Sequence, residues 1–149
     1  MTRQQLVTKY GHYLRQGHLV LSVTLSTYIK SSTYAGSDST RQMWDHHFIG
    51  RFRRRLPYKL RDKLDYDYVM EQSPEGFWHY HGLLAVPASS AAYLLKNNSL
   101  HPRLARDFES FSRIGSQRPF RINSFLIEPV KNIDAWSRYI TKGQPFERD

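Results

Sequence analysis

The stretch DYDYVMEQSPEGFWHYHGLLAVP, residues 65–87, decides how the chain folds. Two β-rich runs flank Ser73, Pro74, Glu75 and Gly76, the pattern of a hairpin. Ser at the first turn position, Pro at the second and Gly at the fourth suit a type I turn followed by a left-handed residue, the three-residue loop with a G1 bulge. That loop length sets the pairing: Ser73 opposite Phe77, Gln72 opposite Trp78, Glu71 opposite His79 and Val69 opposite His81. Because strand side chains alternate, Glu71, His79 and His81 then share one face, and Met70, Trp78, Tyr80 and Leu84 share the other. A loop shorter or longer by one residue would slip the register and turn Glu71 away from the histidines.

Before this hairpin, HLVLSVTLS (18–26) reads as a strand with Leu19, Leu21, Val23 and Leu25 on one side and Ser22, Thr24 and Ser26 on the other. It follows a helix over 3–16 that Gly17 ends. A second helix is predicted from Asp38 or Ser39 to about Leu56, with Met43, Trp44, His47 and Phe48 inward and Pro57 closing it. Residues 88–97 and 102–112 read as helices broken apart by Asn97, Asn98 and Pro102, 118–130 as a strand ending at Pro129, and 133–142 as a helix capped by Asn132 and ended by Gly143. The order predicts an α+β fold: an antiparallel sheet of about five strands with helices packed on it. No repeat or linker divides it, so residues 1–149 read as one domain.

Composition narrows the partners. With 22 Lys and Arg against 13 Asp and Glu the net charge is +9, which points to a polyanion and most often to nucleic acid. The absence of cysteine excludes a disulfide scaffold, a thiolate metal site and a cysteine nucleophile, so any metal must use His, Asp or Glu. No run approaches the ~18 apolar residues of a membrane span, and MTRQQLVTKYGHYLRQG lacks a signal-peptide apolar region, so a soluble, unexported protein is expected.

Three features carry chemistry. His79-Tyr80-His81 aims two imidazoles to one side of a strand roughly 7 Å apart, although such a pair is also what the solvated side of a half-buried strand looks like. Glu71, across from His79, completes a mixed nitrogen and oxygen set suited to Mn²⁺ or Mg²⁺, although Zn²⁺, Co²⁺ or Ni²⁺ could bind it as tightly or more tightly in vitro; Glu75 and Asp67 are its competitors. In the predicted last helix, Ile133, Trp136 and Ile140 form the buried stripe, with Tyr139 at its edge and Lys142 three residues on. The run RFRRRLPYKLRDK adds Arg51, Arg53, Arg54 and Arg55, which alone read as a solvated face and, in a chain that acts on DNA, as a phosphate-contacting surface. His46, His47 and His101 are left as structural or surface residues.

Taken in order, LSVTLS, then Glu71 with His79-Tyr80-His81, then Tyr139-Ile140-Thr141-Lys142 resemble the three motifs of HUH endonucleases, and most of all the single-tyrosine replication initiators (Rep) of rolling-circle plasmids, phages and small single-stranded DNA viruses. The resemblance spans residues 18–142. It implies a five-stranded antiparallel sheet of ferredoxin-like or RRM-like ancestry, Glu71, His79 and His81 as ligands of Mn or Mg, Tyr139 as nucleophile and Lys142 as its helper. It further implies site-specific nicking of single-stranded DNA or an origin hairpin through a 5′-phosphotyrosyl link. Location would be the cytoplasm, or the host nucleus for a eukaryotic virus. A direct role is not assigned to Thr24, because these families often carry an amide or another polar residue at the end of that strand. With one helix tyrosine and no G-x-x-x-x-G-K-[ST] loop, the chain is expected to nick without a helicase domain and to rely on a host helicase and polymerase. A small single-tyrosine transposase is the nearest enzymatic alternative, though such enzymes typically place a glutamine where Gly143 stands. A noncatalytic RRM-like module binding strands through Trp78, Tyr80 and the arginines is the alternative of another class.

Overall fold

The computed structural model describes residues 2–26, 45, 48–111 and 126–136, beginning with a helix whose two ends are written in its sequence. In α1 (Arg3–Arg15) the Thr2 hydroxyl accepts from the Gln5 amide at 3.1 Å while the Gln5 side chain accepts from the Thr2 amide at 2.8 Å, a reciprocal capping box. At the other end Gly17 takes φ 80°, and His18 N–H and Gly17 N–H reach back to the carbonyls of Tyr13 and Leu14. This is a Schellman stop that only glycine adopts without strain.

The main sheet is antiparallel, in the order β2-β3-β1-β6, from β1 (Leu19–Ser26), β2 (Asp65–Gln72), β3 (Trp78–Val86) and β6 (Leu126–Pro129). The β2-β3 turn forms as its sequence demands. Gly76 N–H donates to the Ser73 carbonyl at 2.8 Å, Gly76 has φ 95°, and Ser73 N–H closes on the Phe77 carbonyl at 2.7 Å. The Ser73 hydroxyl also accepts from Phe77 N–H at 3.0 Å. The register follows: Gln72 opposite Trp78, Glu71 opposite His79, Val69 opposite His81.

Alternation sorts the sheet into two covered faces. On one, Leu21, Val23, Leu25, Tyr80, Leu84 and Val86 form the larger core with Phe48, Ile49 and Phe52. The helix Gly50–Arg55, a second short helix Tyr58–Arg61 and the helices following β3 make this layer. On the other face Val20, Leu83 and Ala85 pack under Leu6 and Tyr10 of α1 and against Val130 and Ile133. α1 is also held by polar contacts to the edge strand. Lys9 Nζ lies 2.7 Å from Asp67 and 3.2 Å from Asp65, while the hydroxyls of Tyr10 and Tyr13 donate to Asp67 and Asp65 at 2.7 and 2.6 Å.

Some expectations change. Among the described residues the main sheet is antiparallel, as expected, and has four of the about five strands predicted. The predicted strand over 118–130 is described from Leu126 and ends at Pro129 as expected. The helix predicted over 88–97 is instead a 3-10 turn (Ala88–Ser90), one turn of α-helix (Ala91–Leu94) and a small hairpin of β4 (Leu95–Lys96) and β5 (Ser99–Leu100). Asn97 and Asn98 both take positive φ, 55° and 62°, which is a type I′ turn. Asparagine tolerates that region better than other non-glycine residues, so the pair directs a hairpin rather than merely ending a helix. Pro102 then opens the helix Pro102–Phe111, where its missing N–H costs nothing, and His101 Nδ1 accepts from Arg103 N–H at 3.2 Å as a cap. Of the long helix predicted to Leu56, the described part includes buried Phe48 and ends as expected before Pro57; residues 38–44, His46 and His47 lie outside the described residues.

Candidate metal centre

The face that α1 covers is apolar at one end and polar at the other. Passing along β3 from Ala85 and Leu83 to His81 and His79, the opposing residues on β1 change from Val20 and Ser22 to Thr24 and Ser26. On β2 they change from Asp67 and Val69 to Glu71. The histidine rings are 6.3 Å apart. Their backbone positions follow from strand alternation and the hairpin register, so the sequence reading placed all three candidate ligands on one face correctly.

Each histidine is held from behind by a hydroxyl of β1. The Ser26 hydroxyl stands 3.2 Å from His79 Nδ1 and that of Thr24 3.4 Å from His81 Nδ1, leaving the Nε2 atoms as outward donors. Glu71 Oε2 lies 3.2 Å from His81 Nε2, a contact diagonal to the strand pairing. His81 is nearly buried, whereas Glu71 keeps a side-chain exposure of 45%. Burial pushes the His81 pKa below the usual imidazole value; Glu71 opposes that shift and His79 reinforces it. A neutral His81 therefore donates Nε2–H to Glu71 and accepts from Thr24.

A hydroxyl can donate or accept. If Nε2 takes up a metal in place of its proton, Nδ1 gains the proton and Thr24 can accept it without moving. That property makes Thr24 and Ser26 suitable partners for metal-binding imidazoles. Sequence reasoning assigned Thr24 no direct role, and its partnership with His81 becomes visible only when β1 lies beside β3.

The donors are a mixed nitrogen and oxygen set of the kind that binds first-row divalent cations: a carboxylate and an imidazole already share one polar contact, with a second imidazole beside them. Among the described residues no three His, Asp or Glu side chains are drawn together as a complete metal-holding group. Asp67, one competing carboxylate, is engaged by Lys9 and Tyr10, and Glu75 stands in the turn. Tyr139 and Lys142 lie outside the described residues. The turn before them is described: Ala135 N–H donates to the Asn132 side chain at 3.1 Å, the predicted cap, and residues 133–136 are helical. Ile133 and Trp136 pack into the cluster under α1, on the same sheet face as the histidines.

The arginines are placed differently. Phe52 anchors their helix to the opposite sheet face, so Arg51, Arg53, Arg54 and Arg55 do not line the histidine face. Arg51 Nε donates to the Asp107 carbonyl at 3.1 Å, Arg53 lies over the Tyr66 ring at 5.6 Å, and Arg55 donates to the Tyr93 carbonyl at 3.4 Å. Tyr80 is wholly buried in the same core and cannot stack on a strand, which removes it from the binding-module alternative. No helix among the described residues is long and apolar enough to cross a membrane. The chain matches no protein-family model, no curated protein and no solved structure.

Proposed function

We propose that the chain is a metal-dependent, single-tyrosine HUH-type nuclease of five-stranded ferredoxin-like ancestry that nicks and rejoins single-stranded DNA to start rolling-circle replication. The observation that carries this reading is the polar half of one sheet face. There Glu71 meets His81, His79 stands alongside, and both imidazoles are backed by hydroxyls. The helical turn ending at Trp136 packs on that same face, and the sequence pattern continues it toward Tyr139.

In this reading Glu71, His79 and His81 hold Mn²⁺ or Mg²⁺, which when bound supplies Lewis acidity to a non-bridging oxygen of the scissile phosphate. Tyr139 Oη attacks phosphorus in line and loses its proton, the P–O3′ bond breaks, and the departing oxygen takes up a proton as a free 3′-OH. Tyrosine normally ionises near ~10, so the Lys142 cation favours the phenolate. The phosphotyrosyl bond keeps the phosphodiester's energy, and attack by a later 3′-OH rejoins the strand and releases Tyr139. The free 3′-OH primes synthesis; unwinding and copying fall to a host helicase and polymerase.

The test is incubation with end-labelled single-stranded origin DNA and Mn²⁺, followed by denaturing electrophoresis. A covalent protein–DNA band that vanishes with chelator and in H79A/H81A supports the reading. DNA bound without such a band would make the chain a binding module instead.

A further inference from the structure

Among the described residues, most of the Lys and Arg are on the side of the sheet that the candidate metal centre does not use. Residues 50–64 and 87–107, which build that helical layer, contain ten Lys and Arg against two Asp and no Glu. The layer is continuous. Arg55 is tied to Tyr93 of the Ala91–Leu94 helix and Arg51 to the carbonyl of Asp107 in the next helix, so the basic run and the β4-β5 hairpin region share one surface. Lys96, Arg103 and Arg106 are exposed on it. Desolvation and the positive charges of Arg55, Lys96, Arg103 and Arg106 hold the His101 imidazole below its usual pKa.

Aromatic exposure coincides with this charge. Tyr58 is 85% and Tyr93 40% exposed, and they are the exposed large hydrophobic residues among the described part of the chain. Both belong to this layer, and the Arg61 guanidinium lies 5.9 Å from the Tyr58 ring centre. Cations that follow a phosphate backbone, combined with solvent-facing rings on which bases stack, form the usual arrangement for single-strand binding.

We propose that this helical layer is a second surface for single-stranded DNA, separate from the histidine face and independent of metal. It carries the DNA-handling reading to the far side of the sheet without resting on its chemistry. Binding there positions a strand by its backbone and by stacking, with little choice of sequence.

The experiment is fluorescence anisotropy with a labelled oligothymidine of about 20 nucleotides, longer than the site of one small domain. It is run in chelator at several salt concentrations, with circular dichroism confirming that each variant folds. The charge-reversal variant K96E/R103E/R106E should weaken binding at least about tenfold and flatten the logarithmic salt dependence by about two, near 0.7 per lost phosphate contact. Y58A/Y93A should weaken single-strand binding about tenfold while leaving duplex binding within about twofold. Wild-type affinity and salt slope in the charge-reversal variant, or unchanged single-strand affinity in the tyrosine variant, would overturn the proposal. Loss of nicking alone would count against the catalytic reading and leave this one standing.

Discussion

His81 joins burial to polarity: nearly all of its surface is covered, yet both ring nitrogens have polar partners, Thr24 and Glu71. Burial lowers its pKa, so its neutral form favours the fold. The resulting stability is present above the unfolded value of about 6.5 and is lost as pH falls through the lower folded value. NMR of the ring nitrogens in chelator should show His81 titrating below that value, and Glu71→Gln should move it further down, since the carboxylate is the main influence holding it up. The β1 hydroxyls give a second expectation. Thr24→Val with Ser26→Ala should weaken Mn²⁺ binding, read by calorimetry, by about tenfold or more, while Thr24→Ser keeps it. Equal affinity in all three would show that the hydroxyls do not orient the imidazoles. The shared face of the candidate ligands was legible because Glu71, His79 and His81 are related by one hairpin and strict alternation. The Thr24 and Ser26 partnerships depend on which strand pairs with β3, and no local pattern encodes that.

Two elements hold the polar half of the face in place. The β2-β3 hairpin depends on Gly76 at φ 95°, a conformation that costs a side-chain-bearing residue about 1 to 2 kcal/mol. Gly76→Val should therefore lower unfolding free energy by about that amount in a denaturant titration. Pro74→Ala should cost less than about 1 kcal/mol, because it loosens only the unfolded chain. The second element is α1, docked through Lys9 to Asp65 and Asp67. Burial opposes the charged form of each partner, but Lys9 is held above its usual pKa by Asp67 and Asp65, and Asp65 below its own by Tyr13 and Lys9. The stability from Asp65 is present above its unfolded pKa and lost as acid titrates its lowered folded value; that from Lys9 is present below about 10.5 and lost as alkali titrates its raised one. Protection of the α1 amides, taken relative to the intrinsic exchange rate at each pH, should be highest between these limits, and Lys9→Met should flatten the dependence at both ends. The hairpin was readable because Ser, Pro and Gly each have a specific turn position. The segment 88–97 was not, because apolar residues at helical spacing outweighed Asn97 and Asn98, whose left-handed backbone converts the end of the run into a hairpin.

At the scale of the whole molecule, the sheet divides the chain's properties between two sides. One carries the imidazoles, the carboxylate and the helical turn over 133–136; the other carries the arginine-rich layer. A net charge of +9 predicts a polyanion but cannot say on which side it binds. Phe52 places the basic helix, anchoring it to the Leu21, Val23 and Leu25 face of β1. The α+β class was legible from the order of elements, while the side taken by each helix was not, since both faces of the sheet are apolar enough to be covered. Tyr139 is the residue proposed to take the DNA. The most direct measurement is mass spectrometry of the covalent product formed with Mn²⁺ and single-stranded DNA, after nuclease trimming and proteolysis. The account predicts a nucleotide joined through its 5′-phosphate to Tyr139 and no such product from Tyr139→Phe. A nucleotide on any of the other nine of the ten tyrosines, or an adduct that survives Tyr139→Phe, would contradict it.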